Sequence, residues 1–475
     1  MTRRILICLP LAAALAACAV GPNYRQPELP VPPSFRDTPE AQASLAELAW
    51  WDVFHDEVLQ SLVREALEQN RDLLTAVANV EQARDTAAVQ RGELFPQASY
   101  DAGAFRGKNS ILGVPTDISN ESHTQYLAVL NFFWEVDVWG RIRRATESAR
   151  AQMLASNAVR QGVVLSLVSG VAQAYLELRE LDNELEIAHR NVESFDETYQ
   201  LFLRQFRGGV ASKLDPLRGE AALAQAASTV PDIERRIVAK ENELCVLLGR
   251  PAGAIPRGVS LADQVMPSDV PAGVPSLLLT RRPDLIEAEQ TLVSANAQIG
   301  VAFANFFPRI GLTAFRGALS SNLSELLRSS NEAWAIGSQA TGPILTWGQT
   351  WYNWEGAKAA DQAAIYRYQQ SVLVALAEVS DALTAHEKFA LQRAELERQV
   401  EALRESVRLA QVRYVGGLAT YIEVLDAQQQ LFPAELSLSQ ALRDERLSVV
   451  SIYRALGGGW STDEPEPSIP QPLAP

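Results

Sequence analysis

The chain has 475 residues and carries 42 Lys plus Arg against 57 Asp plus Glu, for a formal charge of −15 at pH 7. That acidic balance argues against a nucleic-acid partner, and 47% hydrophobic residues can fill a sizeable core, which excludes disorder over most of the length. Three cysteines and four histidines are too few and too scattered for a disulfide framework or a Cys/His zinc site. Length alone suggests about three domains. Cys245, deep in the chain on an expected helix, reads as a buried inert thiol and not as a nucleophile.

Arg3 and Arg4 precede an apolar run from Ile5 to Ala17, the charged and apolar parts of a bacterial secretory signal. Without residues 1–17, which contain no acid, the formal charge moves from −15 to −17. The run is too short to span a bilayer. Leu15-Ala16-Ala17-Cys18 resembles the lipobox of bacterial lipoproteins, in which the cysteine is acylated and becomes the new N-terminus. The alternative is an ordinary signal peptide with an incidental cysteine. Ala19 stands where an Asp would resemble the signal for inner-membrane retention, so outer-membrane delivery is expected. Pro22, Pro27, Pro30, Pro32, Pro33 and Pro39 then mark an extended arm lying along the folded body. No later stretch offers the run of about 18 apolar residues that a membrane-spanning helix needs.

Self-comparison reveals an internal repeat. Trp139-Gly140 recurs as Trp347-Gly348, Gly208-Gly209 as Gly416-Gly417 and Leu248-Gly249 as Leu456-Gly457, each 208 positions later. Upstream, Asp72-Leu73 through Phe95-Pro96 matches Asp284-Leu285 through Phe307-Pro308 at an offset of 212. Pro251, Pro256, Pro267, Pro271 and Pro275 mark an irregular connection between the halves. Each half contains a long helix. In the first, Val164, Val168, Val171, Tyr175, Leu178, Leu181, Leu185, Ala188, Val192, Phe195, Tyr199, Phe202 and Phe206 form a stripe whose mean step is 3.5 residues, the spacing of left-handed supercoils. The second copy runs from Val372 to Tyr414, and only His386 and Arg393 break it. A helix from Ile142 to Phe206 would be about 100 Å long. Both long helices end at a double glycine, suited to left-handed closure of a helix C-terminus. Ser212 with Asp215, and Thr420 with Glu423, have the spacing of a cap and third position, the second pair as a capping box. Each half is therefore an antiparallel helical hairpin.

After Phe95-Pro96 and Phe307-Pro308 the period changes to two, which marks strands. Tyr126, Ala128, Leu130, Phe132, Trp134 and Val136 alternate with a face that includes His123, Gln125, Asn131, Glu135 and Asp137. Ala98–Arg106, Arg309–Leu319 and Ala333–Leu345 are three further candidates. A soluble sandwich could use such strands. In a bilayer, a strand of about 9–11 residues must belong to a closed barrel of at least about eight. Four per chain are too few, so several copies must share one barrel, and this arithmetic leaves the stoichiometry open.

Several motifs together resemble the TolC family of outer-membrane efflux factors, in its acylated OprM-like (NodT-type) branch. They are Cys18 with Pro22-Asn23-Tyr24, Trp50-Trp51 through Phe54, Gly273-Val274-Pro275-Ser276-Leu277-Leu278 leading into Arg281-Arg282-Pro283-Asp284, Arg413-Tyr414-Val415-Gly416-Gly417, Val424-Leu425-Asp426-Ala427-Gln428, and Ala455-Leu456-Gly457-Gly458-Gly459-Trp460. The resemblance covers nearly the whole mature chain. It implies a mainly α fold with some β, in which long coiled-coil hairpins form a trimeric α-barrel and four strands per chain build a shared 12-stranded transmembrane β-barrel. The function implied is an outer-membrane conduit for solutes, with a periplasmic membrane-fusion adaptor and an inner-membrane pump of RND or other type as partners and outer-membrane lipid around it. Acyl chains on Cys18 would be its only covalent addition, with no cofactor, metal or catalytic residue.

By the same resemblance Ile422 and Asp426 face a periplasmic gate braced by Arg413 and Tyr414. Leu214, Arg218, Gln205 and Phe206 hold the equivalent places in the first half, so the brace is expected from second-half residues alone. Gly208, Gly209, Val210, Gly416, Gly417 and Leu418 are the expected adaptor-contact tips. The chain would divide into a signal peptide (1–17), an acylated arm (18–55), a first repeat (56–249), an irregular equatorial linker (250–280), a second repeat (281–457) and a disordered proline-rich tail (458–475). Rival readings are a conduit for whole proteins and a lipid-anchored rod or adhesin with a soluble β head. An enzyme finds no support: GxSxG is absent, and His386-Glu387 lacks the second histidine of HExxH.

Overall fold

The computed structural model describes residues 19–29, 32, 34, 55–108, 122–264 and 275–458. The signal segment, Cys18, Trp50 through Phe54 and the tail after residue 458 lie outside the described residues. In chain order the main elements are α1 (Glu57–Gln69), α2 (Arg71–Gly92), β1 (Gln97–Lys108), β2 (Ser122–Val136), α3 (Arg141–Arg207), α4 (Leu214–Leu247), the short α5 (Leu278–Arg281), α6 (Pro283–Ala304), β3 (Arg309–Ser320), β4 (Glu332–Thr341), α7 (Gln349–Val415) and α8 (Tyr421–Ala455). Both long helices, α3 and α7, have 67 residues. The chain forms two compact units, one of residues 1–28, 79–157 and 287–369, the other of 29–78, 158–286 and 370–475.

The first unit holds one antiparallel sheet in the order β1-β2-β3-β4. Its registers include Gln97↔Phe133, Val136↔Ile310 and Arg309↔Thr341. Adding 212 to each β1 residue and 208 to each β2 residue turns the first ladder into the third, so the repeat seen in the sequence is also a repeat of backbone pairing. β4 stops at Thr341, short of the expected Leu345, opposite Arg309, where its neighbour β3 begins.

In the second unit the periodic stripe of α3 forms the core: Val164, Val168, Val171, Tyr175, Leu178, Leu181, Ala188, Phe195 and Phe202 are all buried. Phe195 packs with Ala222 and Ala226 of α4 and against Leu425 of α8, which is the wrapping that a 3.5-residue step calls for. The second stripe behaves differently. Val372, Val379 and Val400 are buried, but Leu383, Phe389, Leu396, Leu403 and Tyr414 are only half-buried, and beside the stripe Leu391, Leu409 and Val412 of α7 are exposed.

A single carboxylate organises the start of this unit. Asp56 caps α1 through Oδ1, which accepts from Val58 N at 2.8 Å and Leu59 N at 3.2 Å. Its Oδ2 accepts from the Tyr175 hydroxyl at 3.0 Å, the Gln264 amide at 2.8 Å and Val259 N at 3.1 Å. One buried side chain thus ties a helix N-terminus, the long helix and the irregular 250–264 segment together. Removing it strips the cap and takes the shared acceptor from the buried Tyr175 hydroxyl and Gln264 amide and from Val259 N, so Asp56→Ala should cost about 2–4 kcal/mol of stability, read as a lowered melting temperature; an unchanged melting temperature would contradict this role.

Further along α3, Glu180 and Glu184 are both buried. Glu184 accepts from Arg236 of α4 at 2.7 Å and from Gln440 of α8 at 3.2 Å, and Arg443 of α8 lies 3.6 Å from Glu180. Burial, and then the neighbouring Glu184 carboxyl, push Glu180 up to about 8. The folded chain therefore holds this proton more tightly than the unfolded chain does. The associated stability is complete below the ordinary carboxylate range and is lost as pH rises through the folded value. Thermal melting between about pH 5 and about pH 9 should show the decline, and Glu180→Gln should flatten it.

Candidate conduit wall and hairpin ends

Cross-strand register assigns every strand residue to a face. Tyr100, Leu130, Phe132, Trp134, Leu312, Ala314 and Ile336 share one face, where Leu130 opposes Tyr100 and Ala314 opposes both Phe132 and Ile336. Tyr100 is 79% exposed, Leu130 53% and Ile336 79%. Arg316 and Glu332 pair at 2.8 Å near one end of this face. The other face is mixed. Asn131 donates to Asp101 at 2.6 Å, and Gln125, Thr313 and Gln339 share that side with Gly103, Gly311, Gly317 and Gly337. Large exposed apolar residues on a two-edged sheet make an unsuitable surface for water. No helix among the described residues is long and apolar enough to cross a membrane.

At the base of the sheet the N-terminal arm is tied to the β2–α3 turn. Val20 N donates to the Trp139 carbonyl at 3.0 Å, and Arg144 donates to the Val20 carbonyl at 3.3 Å, the Gly21 carbonyl at 3.4 Å and Asn23 Oδ1 at 2.7 Å. Tyr24 donates to Glu289 at 2.9 Å and Gln26 to Tyr368 at 3.1 Å. Ala19, the residue after Cys18, lies so close to Gly140 that a Cβ there would come within 2.6 Å of the Ala19 Cα. The expected arm along the body is present over these residues.

Both hairpin ends close by the same device. Gly209 (φ +76°) and Gly417 (φ +72°) are left-handed, Val210 N bonds Gln205 O and Leu418 N bonds Arg413 O, and Gly209 N and Gly417 N bond Phe206 O and Tyr414 O. This is the Schellman pattern. Gly208 and Gly416 do not need positive φ. Val210 is 80% and Leu418 76% exposed, and Val415 beside Gly416 is 79% exposed, so each end presents apolar surface beside its glycines.

The residues expected at a gate are only partly gathered within one chain. Ile422 and Asp426 lie exposed on the first turns of α8, and Asp426 accepts from Gln430 at 2.8 Å. Arg413 lies 3.7 Å from Glu423 and donates to the Leu418 carbonyl at 3.5 Å, so it is turned to these groups and not to Asp426. Glu423 is thereby turned to Arg413, and the expected capping box is not formed: Thr420 is the N-cap without a side-chain bond. Ser212 does bond Leu214 N at 3.2 Å, at the start of α4. The contacts around the expected brace residues are also not confined to the second half. Tyr414 donates to Gln205 at 2.6 Å, Phe202 packs edge-on to Tyr421 at 4.0 Å and to Tyr414 at 5.9 Å, and Gln428 donates to Ser194 at 2.8 Å. Burial raises the Tyr414 hydroxyl above its ordinary value, which keeps it a donor. From the sequence Gln205 falls outside the brace and Tyr421 and Gln428 have no role there, because partner choice across two hairpin arms is not visible in either arm's periodicity.

The family model described as outer membrane efflux protein matches residues 62–250 and 274–458. A probable efflux pump outer membrane protein of Pseudomonas putida, TtgC, is 34% identical over 473 residues, which is 97% of this chain and 96% of that one. The cation efflux system protein CusC of Escherichia coli O6:H1 is 30% identical, covering 95% of this chain and 97% of its own length. Among solved structures, the outer-membrane channel OprN superposes with a TM-score of 0.86 at 33% identity, over 93% of this chain and all of that one.

The contacts at the hairpin ends carry a direct test. Replacing both Asp426 and Arg413 by alanine, or Tyr414 by phenylalanine, should raise single-channel conductance in planar bilayers and make cells leak solutes. Conductance equal to the parent's would count against a gate at this end.

Proposed function

The chain belongs to the outer membrane efflux protein family, and we propose that it works as one of three identical, lipid-anchored staves of an exit duct. It is the outer-membrane channel component of an efflux pump. It acts as a passive conduit and not as an enzyme, in series with a periplasmic adaptor and an inner-membrane pump. The observation that carries the shared-barrel reading is the open sheet, whose four strands have two unpaired edges among the described residues and an exposed apolar face, while the number three comes from the family resemblance. Unpaired backbone N–H and C=O groups are not tolerated in hydrocarbon, so such a sheet is stable there only as part of a closed barrel. Three copies supply twelve strands. An even-stranded antiparallel meander closes between copies with every neighbour still antiparallel. The exposed apolar side chains of α7 favour the same assembly, since a neighbour's helix would cover them.

Cys18 bears the acyl chains in this reading, and the pinning of Ala19 and Val20 at the β2–α3 turn supports an anchor at the base of the sheet. Several acyl chains, at about 0.8 kcal/mol per buried methylene, make a durable anchor. Gly208, Gly209, Val210, Gly416, Gly417 and Leu418 contact the adaptor, where the exposed Val210 and Leu418 supply apolar area. Ile422 and Asp426 face the aperture, and an RND-type pump is the expected driver. Three carboxylates near one axis repel each other and attract cations, and the acidic total extends that bias along the lumen.

Detergent-extracted protein should migrate as a trimer that heat converts to monomer, and should form pores in planar bilayers whose reversal potential favours cations. A detergent-free monomer that never conducts would refute the duct, and a chloride-favouring reversal potential would refute the charge assignment.

A further inference from the structure

The two repeats are not equally complete within one chain. Trp139, after β2, stacks on Phe307, just ahead of β3, with ring centroids 4.6 Å apart and planes at 21°. Its indole Nε1 donates to the Pro308 carbonyl at 2.8 Å. Trp347 holds the equivalent place after β4, 208 positions on. Its ring is 88% exposed, and its φ of +49° makes it the non-glycine residue with a left-handed backbone among the described residues. Bulky side chains seldom adopt that conformation without a constraint. Phe95, the counterpart of Phe307 ahead of β1, is 58% exposed. One half of an aromatic corner therefore sits at each end of the sheet.

Strand register makes the correspondence quantitative. Offsets of 212 for β1 to β3 and 208 for β2 to β4 carry the β1–β2 ladder onto the observed β3–β4 ladder. The same offsets carry the β2–β3 ladder onto the two edges that have none. Val136↔Ile310 becomes Ile344 opposite Ala98, Phe133↔Thr313 becomes Thr341 opposite Asp101, and Phe132↔Ala314 becomes Ala340 opposite Ala102. β1 and β4 lie at opposite ends of the sheet order, so the partner edge belongs to a second copy. This register keeps apolar residues on the apolar face and sets Thr341 and Asp101 together on the mixed face, whereas a one-residue slip would exchange the faces.

We propose that β4 of one copy pairs antiparallel with β1 of the next in this register, and that Trp347 clasps the partner's Phe95-Pro96 corner. There it stacks on the partner's Phe95 and donates to the carbonyl of the partner's Pro96, as Trp139 does on Phe307 and Pro308 inside the chain. This rests on the shared-barrel reading and adds to it the residue-level seam and a clasp that fixes it.

Cysteine pairs test the seam in the full-length, membrane-inserted protein. Thr341→Cys with Asp101→Cys and Ala340→Cys with Ala102→Cys are adjacent in-register pairs, one of which falls at the closer, non-hydrogen-bonded spacing. Oxidation should link copies into covalent dimers and trimers for at least one of them. Thr341→Cys with Ser99→Cys, or with Gly103→Cys, is displaced by two residues, beyond the reach of a disulfide, and should link far less. Preferential linkage of a displaced pair, or an intact trimer that links at none of these positions, overturns the register while leaving the shared barrel standing. Absence of any trimer overturns both. For the clasp, Trp347→Ala and Phe95→Ala should each lower the temperature at which the trimer dissociates, and the double variant should fall no further than the more affected single. Fully additive shifts would overturn the clasp.

Discussion

An antiparallel sheet of four strands has two free edges, and hydrocarbon offers no water to satisfy them. In the duct proposed here that constraint governs the assembly. It would turn a chain with an open meander into one that must find copies of itself, with the exposed apolar face around Leu130, Phe132 and Ile336 turned to lipid. The long helices would follow the same logic in a different medium. The stripe of α3 is covered by α4 and α8 of its own chain, while Leu391, Leu409 and Val412 of α7 stay exposed.

Duplication supplied most of the parts, and divergence decided where the copies differ. Four helix ends close with the same left-handed glycine, at Gly209, Gly249, Gly417 and Gly457, because a Schellman closure depends on local backbone geometry and survives duplication intact. Side-chain contacts diverged more freely. Trp139 stacks on Phe307 within the chain, whereas Trp347 is exposed, since no strand follows β4 in the sheet among the described residues. At the hairpin ends, Tyr414 reaches the equivalent of Arg413 in the first half, Gln205, so the closure couples both repeats through one hydroxyl.

Polar groups do the joining where apolar packing cannot specify a unique arrangement. Asp56 draws five donors from three separate segments, and no substitution by an apolar residue could keep all five satisfied. Glu180 and Glu184 place two carboxyls of α3 beside Arg236 and Arg443 of the returning helices. Such a group fixes the relative sliding of parallel-running helices, which a repeating apolar stripe alone leaves degenerate by one heptad.

The amino-acid sequence by itself determined the long helices, their double-glycine ends, the four strands and the duplication, because each depends on local periodicity or backbone preference: the 3.5-residue stripe of α3, the alternation in β2, and Gly209 and Gly417 at the turns. The end of β4 at Thr341 was not local in this way, since it lies where the neighbouring strand β3 begins. The tertiary structure alone decided which side chains meet. That Tyr414 would choose Gln205, that Glu423 would turn to Arg413 and abandon its capping box, that Asp56 would gather Tyr175 and Gln264, and that the α7 stripe would lie less covered than its twin all depend on distances between segments up to 209 residues apart. Periodicity tells each helix which face to bury; only the packed arrangement says against what.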